Sequence, residues 1–107
     1  MAITIDDFKK VELRVGKVVD VQPHPNADRL LVLKVDLGAE QRQLVAGIRP
    51  WYPPESLVGK QVVVVANLEP AVLRGVESQG MLLATQDAAG VSVLGPDRPV
   101  EPGSGVR

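Results

Sequence analysis

The sequence predicts an all-β domain of barrel or sandwich type. Short segments alternate apolar and polar residues with the period of a strand, many of them rich in valine, and glycine or proline separates most of them. Only one segment carries a helix signal, so helices contribute little to the predicted architecture. A chain of 107 residues is long enough to bury one core, and we assign residues 1–107 to a single domain.

The first three predicted strands lie in the first half of the chain. Residues 11–22 alternate along their length, and Gly16 in their interior predicts a bulge or a tight bend. Residues 31–37 repeat leucine and valine at every second position, and a shorter strand follows at residues 42–46. The sequence DLGAEQ joins these two strands and predicts a hairpin.

A short helix is predicted between the third and fourth strands, near residues 55–58. Two prolines pre-set its first turn, Glu55 suits its positive end, and Gly59 suits its stop. Further strands are predicted at residues 61–66, 81–85 and 91–94. Residues from about 86 to 107 form a predicted C-terminal extension, whose proline and glycine content favours extended chain over a surface with a loose end.

Two loops differ from the others in length or composition. The loop at residues 22–29, QPHPNADR, contains two prolines and is predicted to be rigid. The loop at residues 67–80 is long and carries apolar residues, which predicts an ordered segment with a function. In a five-stranded oligonucleotide/oligosaccharide-binding barrel (OB-fold), the loops that join strands one to two and four to five flank the binding face. These two loops occupy those positions in the predicted strand order.

The charge balance limits the ligands that the chain can take. Lys and Arg number 12, Asp and Glu number 13, and the net charge is −1. A domain that binds nucleic acid by bulk charge alone is strongly basic, so any site for a polyanion must be local. The longest apolar run, Val62–Ala66, is far too short for a membrane span, and the acidic start of the chain is unlike a secretory signal. We therefore expect a cytoplasmic chain with no membrane partner.

The sequence offers little catalytic or metal-binding chemistry. There is no cysteine, and His24, the only histidine, stands between two prolines without a second ligand at metal-binding spacing. Ser78 lacks a triad pattern, and no phosphate-binding loop or dinucleotide motif occurs. We predict no catalytic residue, no cofactor and no metal site, and a loop-positioning or surface role for His24.

Recognition of folded RNA is the chemistry that the two loops favour. Aromatic residues make up only 3% of the chain, too few for a surface that stacks single-stranded bases. Arginine and polar side chains can instead contact phosphate and sugar. The longer loop offers Asn67, Arg74, Ser78 and Gln79, and the shorter loop offers Arg29.

The fourth and fifth strands predict a covered outer face. Residues 62–65 and 81–83 are apolar on both faces, whereas a barrel strand that faces solvent alternates. The cover is the C-terminal segment, the N-terminal residues 3–8 or a second subunit. We favour a homodimer, because two-fold dimers are the commonest closed assemblies.

Three stretches of the sequence resemble one protein family. They are DFKKVELRVGKVVDVQPHPNADRLLVLKVDLG, GIRPWYPPESLVGKQVVVVANLEPAVLRGVESQGMLLAT and LGPDRPVEPGSGV. The family is the tRNA-binding domain found at the C-terminus of many bacterial methionyl-tRNA synthetases. The chain is similar also to free-standing dimeric tRNA-binding proteins, to the cytokine-like polypeptide of the multisynthetase complex and, more distantly, to CsaA-type chaperones. The resemblance extends from Ile3 to Val106.

The resemblance implies a five-stranded OB-fold barrel that dimerises partly through its C-terminal extension, binds tRNA by overall shape and catalyses nothing. Such a module serves either as an appendage of a synthetase body or as a separate protein. In that family the groups that face tRNA lie in and beside the loop between strands four and five. The matching positions here are Arg29, Asn67, Arg74, Ser78 and Met81.

Two positions depart from the family pattern. Relatives usually carry basic residues where this chain has Glu69 and Val72, so the resemblance implies weaker tRNA binding than in a typical member. The departure keeps two alternatives open: a CsaA-like module that takes up extended polypeptide, and a bare dimerisation domain of a larger enzyme.

Overall fold

The fold is organised around its long first strand. The computed structural model describes residues 1–107 and contains two short helices and ten strands. In chain order they are α1 Ile5–Lys9, β1 Leu13–Pro23, β2 Leu31–Asp36, β3 Gln41–Ala46, α2 Pro54–Leu57, β4 Gln61–Val65, β5 Ala71–Leu73, β6 Val76–Ser78, β7 Met81–Leu82, β8 Ala84–Asp87, β9 Gly90–Val93 and β10 Gly105–Val106. The first half of β1 pairs antiparallel with β4, and its second half pairs antiparallel with β2.

The first strand is irregular, as predicted, but Gly16 does not carry the irregularity. The register of β1 with β2 shifts between Val18 and Asp20. Gly16 lies where a Cβ atom would collide with the side chain of Val35 and come within 3.0 Å of Leu37. Glycine is required there because the backbone of β1 packs closely on these side chains.

Five strands form a nearly closed barrel in the order β3-β2-β1-β4-β7. The barrel closes beside its two outer strands, where Gln79 donates its backbone N–H to the carbonyl oxygen of Gln43 at 2.7 Å. The short helix α2 begins with a proline and buries Leu57. The predicted all-β OB-fold barrel, with a short helix between its third and fourth strands, is therefore confirmed.

Two predictions about the second half of the chain are wrong. The single strand predicted at residues 81–85 is two strands, β7 and β8, which belong to different sheets. The first pairs with β4, where Leu83 also donates its N–H to the Val63 carbonyl oxygen, and the second pairs with β9. The predicted loose C-terminus is instead paired: β10 joins the start of β1, with Val106 opposite Leu13. The end of the extension therefore belongs to the main sheet.

Two elements lie outside the sequence predictions. Helix α1 begins at a capping box, in which Thr4 accepts from the Asp7 N–H and the Asp7 carboxylate accepts from the Thr4 N–H. The hairpin β5–β6 lies inside the long loop at residues 67–80, so this loop has structure of its own. Its order comes from strand pairing rather than from buried apolar anchors, because Val72 and Leu73 are exposed.

Leucine and valine fill the barrel. The fully buried side chains are Leu31, Leu33, Leu44, Leu57, Val18, Val35, Val62 and Val64. Burial of each such side chain contributes roughly 1.5–3 kcal/mol. Val63 in β4 donates its N–H to the Leu94 carbonyl oxygen, so the C-terminal segment runs beside this strand. Neither helix has the length and apolar character that crossing a membrane requires.

Candidate nucleic-acid interface

The loop between β1 and β2 is held from within by His24. This side chain is only 3% exposed. Its Nδ1 accepts from the Asn26 N–H at 2.9 Å, so Nε2 carries the proton and donates to the Leu73 carbonyl oxygen, also at 2.9 Å. The first bond shapes the loop and the second ties it to the hairpin β5–β6. Of the two roles predicted for His24, loop positioning is confirmed, whereas a surface role is wrong because the side chain is buried.

The turn of the hairpin carries Arg74 towards that loop. Arg74 and Gly75 have φ values of +53° and +89°, and positive φ at both residues of a two-residue turn is the pattern of a type I′ hairpin. From this position Arg74 Nη2 donates to the Asn26 carbonyl oxygen at 3.2 Å. The guanidinium therefore lies against the β1–β2 loop although 48 residues separate the two in sequence.

Arg29 and Arg74 line one groove of about 460 Å³, which we call the loop groove. Its walls are formed by Asn26, Ala27, Asp28, Arg29, Leu30 and Arg74. The two arginines were predicted from different loops, and the tertiary structure brings them to the same depression. Two guanidiniums and one carboxylate, that of Asp28, thus line one groove on a nearly neutral chain.

Two further side chains, Arg49 and Trp51, belong to this region. The guanidinium carbon of Arg29 lies 5.9 Å from the centroid of the Trp51 ring, within cation–π range. Arg49 Nη1 donates to the Ala27 carbonyl oxygen at 3.4 Å, and its backbone N–H donates to the Arg29 carbonyl oxygen at 3.4 Å. Sequence reasoning missed both residues, and the basic and aromatic segment GIRPWY is the only signal that points to them.

The three arginines of this region have no acidic partner. No carboxylate oxygen lies within 4.0 Å of Arg29, Arg49 or Arg74. The ion pairs of the chain are Lys10 with Asp7, Arg14 with Glu12 and Arg42 with Glu40. Asp28 lines the loop groove but forms no ion pair there. Neutral partners leave the positive charge of the guanidiniums uncompensated and open to an anionic ligand.

Asn67 and Ser78 form hydrogen bonds within the protein. Asn67 Oδ1 accepts from the Glu12 N–H at 2.8 Å and Nδ2 donates to the Lys10 carbonyl oxygen at 2.6 Å, which joins the end of β4 to the N-terminal segment. Ser78 is 4% exposed; its hydroxyl accepts from the Val45 N–H at 3.0 Å and donates to the Gly80 carbonyl oxygen at 2.9 Å.

The remaining predicted residues lie nearer to β3 and β7. Gln79 Oε1 accepts from the Gln43 N–H at 3.0 Å, so this side chain also helps to close the barrel. Met81 begins β7 opposite Val65 and is 47% exposed. Of the five residues singled out from the loops and Met81, only Arg29 and Arg74 line the loop groove. No group of three or more His, Asp or Glu side chains is arranged to hold a metal ion.

A family model described as "Putative tRNA binding domain" matches residues 13–105. The chain belongs to this family. Among curated relatives, the methionine–tRNA ligase of Thermococcus kodakarensis is 58% identical over 105 residues, which cover 98% of this chain and 14% of the ligase. The ligase of Thermotoga maritima is 55% identical over 105 residues, 98% of this chain and 17% of the ligase. The chain thus spans only a small part of these relatives.

Solved structures share the whole fold. The MetRS-related protein from Pyrococcus horikoshii has a TM-score of 0.93 and 36% identity, and the match covers 100% of this chain and 99% of that one. The chaperone CsaA from Bacillus anthracis has a TM-score of 0.90 and 28% identity, with 100% of both chains covered. The predicted family is confirmed, including its likeness to CsaA, and the chain is a non-catalytic tRNA-binding domain.

Proposed function

We propose that this domain captures folded tRNA at the loop groove and helps a methionyl-tRNA synthetase, as an appended domain or as a separate protein, to hold its substrate. The observation that carries the proposal is the convergence of Arg29, Arg49 and Arg74 on one loop without any acidic partner. The synthetase role is supported by the methionine–tRNA ligases, of which the matched stretch is 14% in the first relative.

Phosphate is the group on tRNA that this groove suits best. A guanidinium presents N–H donors in a rigid fork that matches phosphate oxygens, and its bonds to them are charge-assisted. Contacts to phosphate and sugar position a protein without reading sequence. Since His24 joins the β1–β2 loop to the hairpin, the two arginines keep a set spacing, which favours tRNA recognition by shape.

The five residues predicted from the sequence take different parts in the proposal. Arg29 and Arg74 contact phosphate, and Met81 offers an exposed apolar contact at the rim of the barrel. Asn67 and Ser78 do not contact tRNA but hold parts of the protein in place, because their polar groups already bond to the protein backbone. Asn67 orders the N-terminal segment, and Ser78 holds the hairpin against β3.

The test is a gel-shift titration with mixed tRNA at low and moderate salt. Arg74→Asn removes the charge at a position of positive φ that asparagine tolerates, and it should reduce the log–log salt slope of binding by about one unit. Arg14→Gln is the matched control: it removes an arginine that Glu12 already pairs with, and should change the slope little. No shift at low salt, or equal effects of the two variants, would contradict the proposal.

The exposed N-terminal face supports a homodimer as the working form. Helix α1 buries none of its residues, and Ile5 and Phe8 lie exposed three positions apart on it. Leu68 and Val106, also exposed, belong to segments that are bonded or paired to the residues after this helix. Light scattering should give twice the chain mass at micromolar concentration, and Phe8→Asp should give the monomer. A wild-type monomer would contradict this part of the proposal.

A polypeptide-binding role is the second candidate, and the likeness to CsaA over both whole chains favours it. Acidic Glu69 and Glu77 on and beside the hairpin are consistent with it. An unfolded protein that binds the domain and that tRNA fails to displace would support this candidate. The tRNA role and the ligase relatives favour a cytoplasmic location for either function.

A further inference from the structure

We propose that Trp51 is a positioning residue: its ring holds the guanidinium of Arg29 so that a phosphate of tRNA binds between Arg29 and Arg74. This inference rests on the proposed function of the loop groove. It adds a residue from a third segment, between β3 and α2, to a site that the two loops form.

The indole of Trp51 packs closely against Gly90 in the hairpin formed by β8 and β9. A Cβ atom at Gly90 would lie 2.5 Å from Trp51 Cδ1 and 2.6 Å from Nε1. Gly90, at the start of β9, therefore packs directly against the five-membered part of the indole. Next to it, the Tyr52 hydroxyl accepts from the Val93 N–H at 3.0 Å, which fastens β9 to the same segment. The ring thus packs against the β8–β9 hairpin, and Tyr52 fastens that hairpin to the segment that carries the ring.

Arg29 is an exposed residue whose guanidinium lies near this ring. It forms no hydrogen bond to another protein group and no ion pair. A guanidinium held over an aromatic face keeps its N–H donors in its own plane, free for phosphate oxygens. Without the ring, the long side chain would have to be ordered by the ligand, at a cost in rotamer entropy. The ring therefore pre-orders the donor before tRNA arrives.

Arg49 has a different role from Arg29. Its guanidinium donates to the Ala27 carbonyl oxygen, and its backbone donates to the Arg29 carbonyl oxygen. Arg49 thus supports the backbone of the β1–β2 loop from the same segment that supplies Trp51. Arg74 is bonded to the Asn26 carbonyl oxygen. Of the three arginines, only Arg29 depends on a side-chain ring for its position.

The experiment uses the fact that Trp51 is the only tryptophan of the chain. Mixed tRNA is titrated into the wild-type protein while tryptophan emission is recorded, with a gel shift on the same samples. We expect a saturating change of emission with the same midpoint as the gel shift. In Arg29→Ala, tRNA should bind about fivefold to tenfold more weakly, and the emission change at saturation should be lost.

Variants of the ring separate positioning from folding. Trp51→Tyr keeps an aromatic face and should bind tRNA within about twofold of wild type. Trp51→Leu should weaken binding by less than Arg29→Ala does, because the charge of Arg29 remains and only its ordering is lost. The double variant should be no weaker than Arg29→Ala alone, because the two residues act through one contact. Thermal unfolding of each variant shows that the folded protein is being compared.

The result that overturns the inference is tRNA binding by Trp51→Leu at wild-type strength, or an emission change that persists in Arg29→Ala. Either can occur while Arg74→Asn still weakens binding, and the proposed function then stands without the role of Trp51. Absence of tRNA binding by the wild-type protein would instead defeat the proposed function itself. If Trp51→Leu does not fold, the comparison of wild type, Arg29→Ala and Trp51→Tyr decides the question.

Discussion

Arginine has different partners at the two ends of the β1–β2–β3 sheet. At the end where β2 turns into β3, Arg42 Nε donates to the Glu40 carboxylate at 2.6 Å, and Nη1 donates to the carbonyl oxygens of Ala66 and Gln79. At the end that carries the β1–β2 loop, Arg29 and Arg74 have only a ring and a carbonyl oxygen as partners.

The difference shows that the partner, more than the residue type, decides whether an arginine is available to a ligand. Both ends of the sheet have arginines within reach of solvent. An exposed ion pair contributes little to stability, about 0–1 kcal/mol, but it neutralises the field that an anion would meet. Carbonyl and aromatic partners orient a guanidinium and leave its charge uncompensated. A chain of net charge −1 can thus still have a positive site where its arginines lack acidic partners.

The largest expected effect comes from His24→Ala, which removes the contact between the β1–β2 loop and the hairpin β5–β6. The change removes a buried side chain and leaves the Asn26 N–H and the Leu73 carbonyl oxygen, both part-buried, without their partner. The free energy of unfolding should fall by about 2–4 kcal/mol, and tRNA affinity should fall with it because Arg29 and Arg74 lose their common frame. Urea unfolding and a gel shift measure the two quantities.

The control for that change is Gln22→Ala, two residues earlier in the chain. Gln22 is exposed and its side chain bonds only to the Asp20 carboxylate, so the free energy of unfolding should stay within about 0.5 kcal/mol. If the folded His24→Ala protein bound tRNA as tightly as wild type, the spacing of the two arginines would not matter to recognition.

A moderate effect is expected from Asp28→Asn, which removes the acidic side chain at the end of the sheet that carries the loop groove. Asp28 lines the loop groove without an ion pair, so its charge opposes a bound phosphate. The isosteric amide removes that charge and should tighten tRNA binding by about twofold to fivefold at low salt, with a smaller gain at high salt. Filter binding at two salt concentrations measures both gains.

The smallest effect is expected from Glu40→Gln at the opposite end. It changes the net charge by the same amount as Asp28→Asn and frees Arg42 from its acidic partner. Arg42 keeps its bonds to two carbonyl oxygens and lies away from the groove, so tRNA binding should change by less than about twofold. Equal gains from the two amides would mean that total charge, rather than the loop groove, controls binding.

Much of the fold could be predicted from the sequence because strand periodicity is a local property. The alternation in β1 and β2, the turn between β2 and β3, and the proline-led helix α2 each depend on residues close together in the chain. The hairpin inside residues 67–80 was harder to predict, because β5 and β6 have three residues each and their turn places Arg74 at positive φ. Type I′ turns favour asparagine, aspartate or glycine at this position, so an arginine does not predict one.

The site was predictable only in part. The positions of Arg29 and Arg74 in two loops were visible, and their type suggested phosphate. Ser78 and Asn67 look alike in sequence as exposed polar groups, whereas in the structure their partners are backbone groups 33 and 55 residues away. Whether a polar side chain is free or used depends on such distant partners, which a local pattern does not contain.

The sequence by itself determined the class of the fold, the absence of bulk positive charge and the family to which the chain belongs, because these depend on composition, period and motif order. The tertiary structure alone decided which arginines face one groove, which are neutralised, and which aromatic ring lies beside them. The physical reason is that charge and orientation are set by neighbours in space. In a barrel those neighbours come from strands and loops that are far apart along the chain.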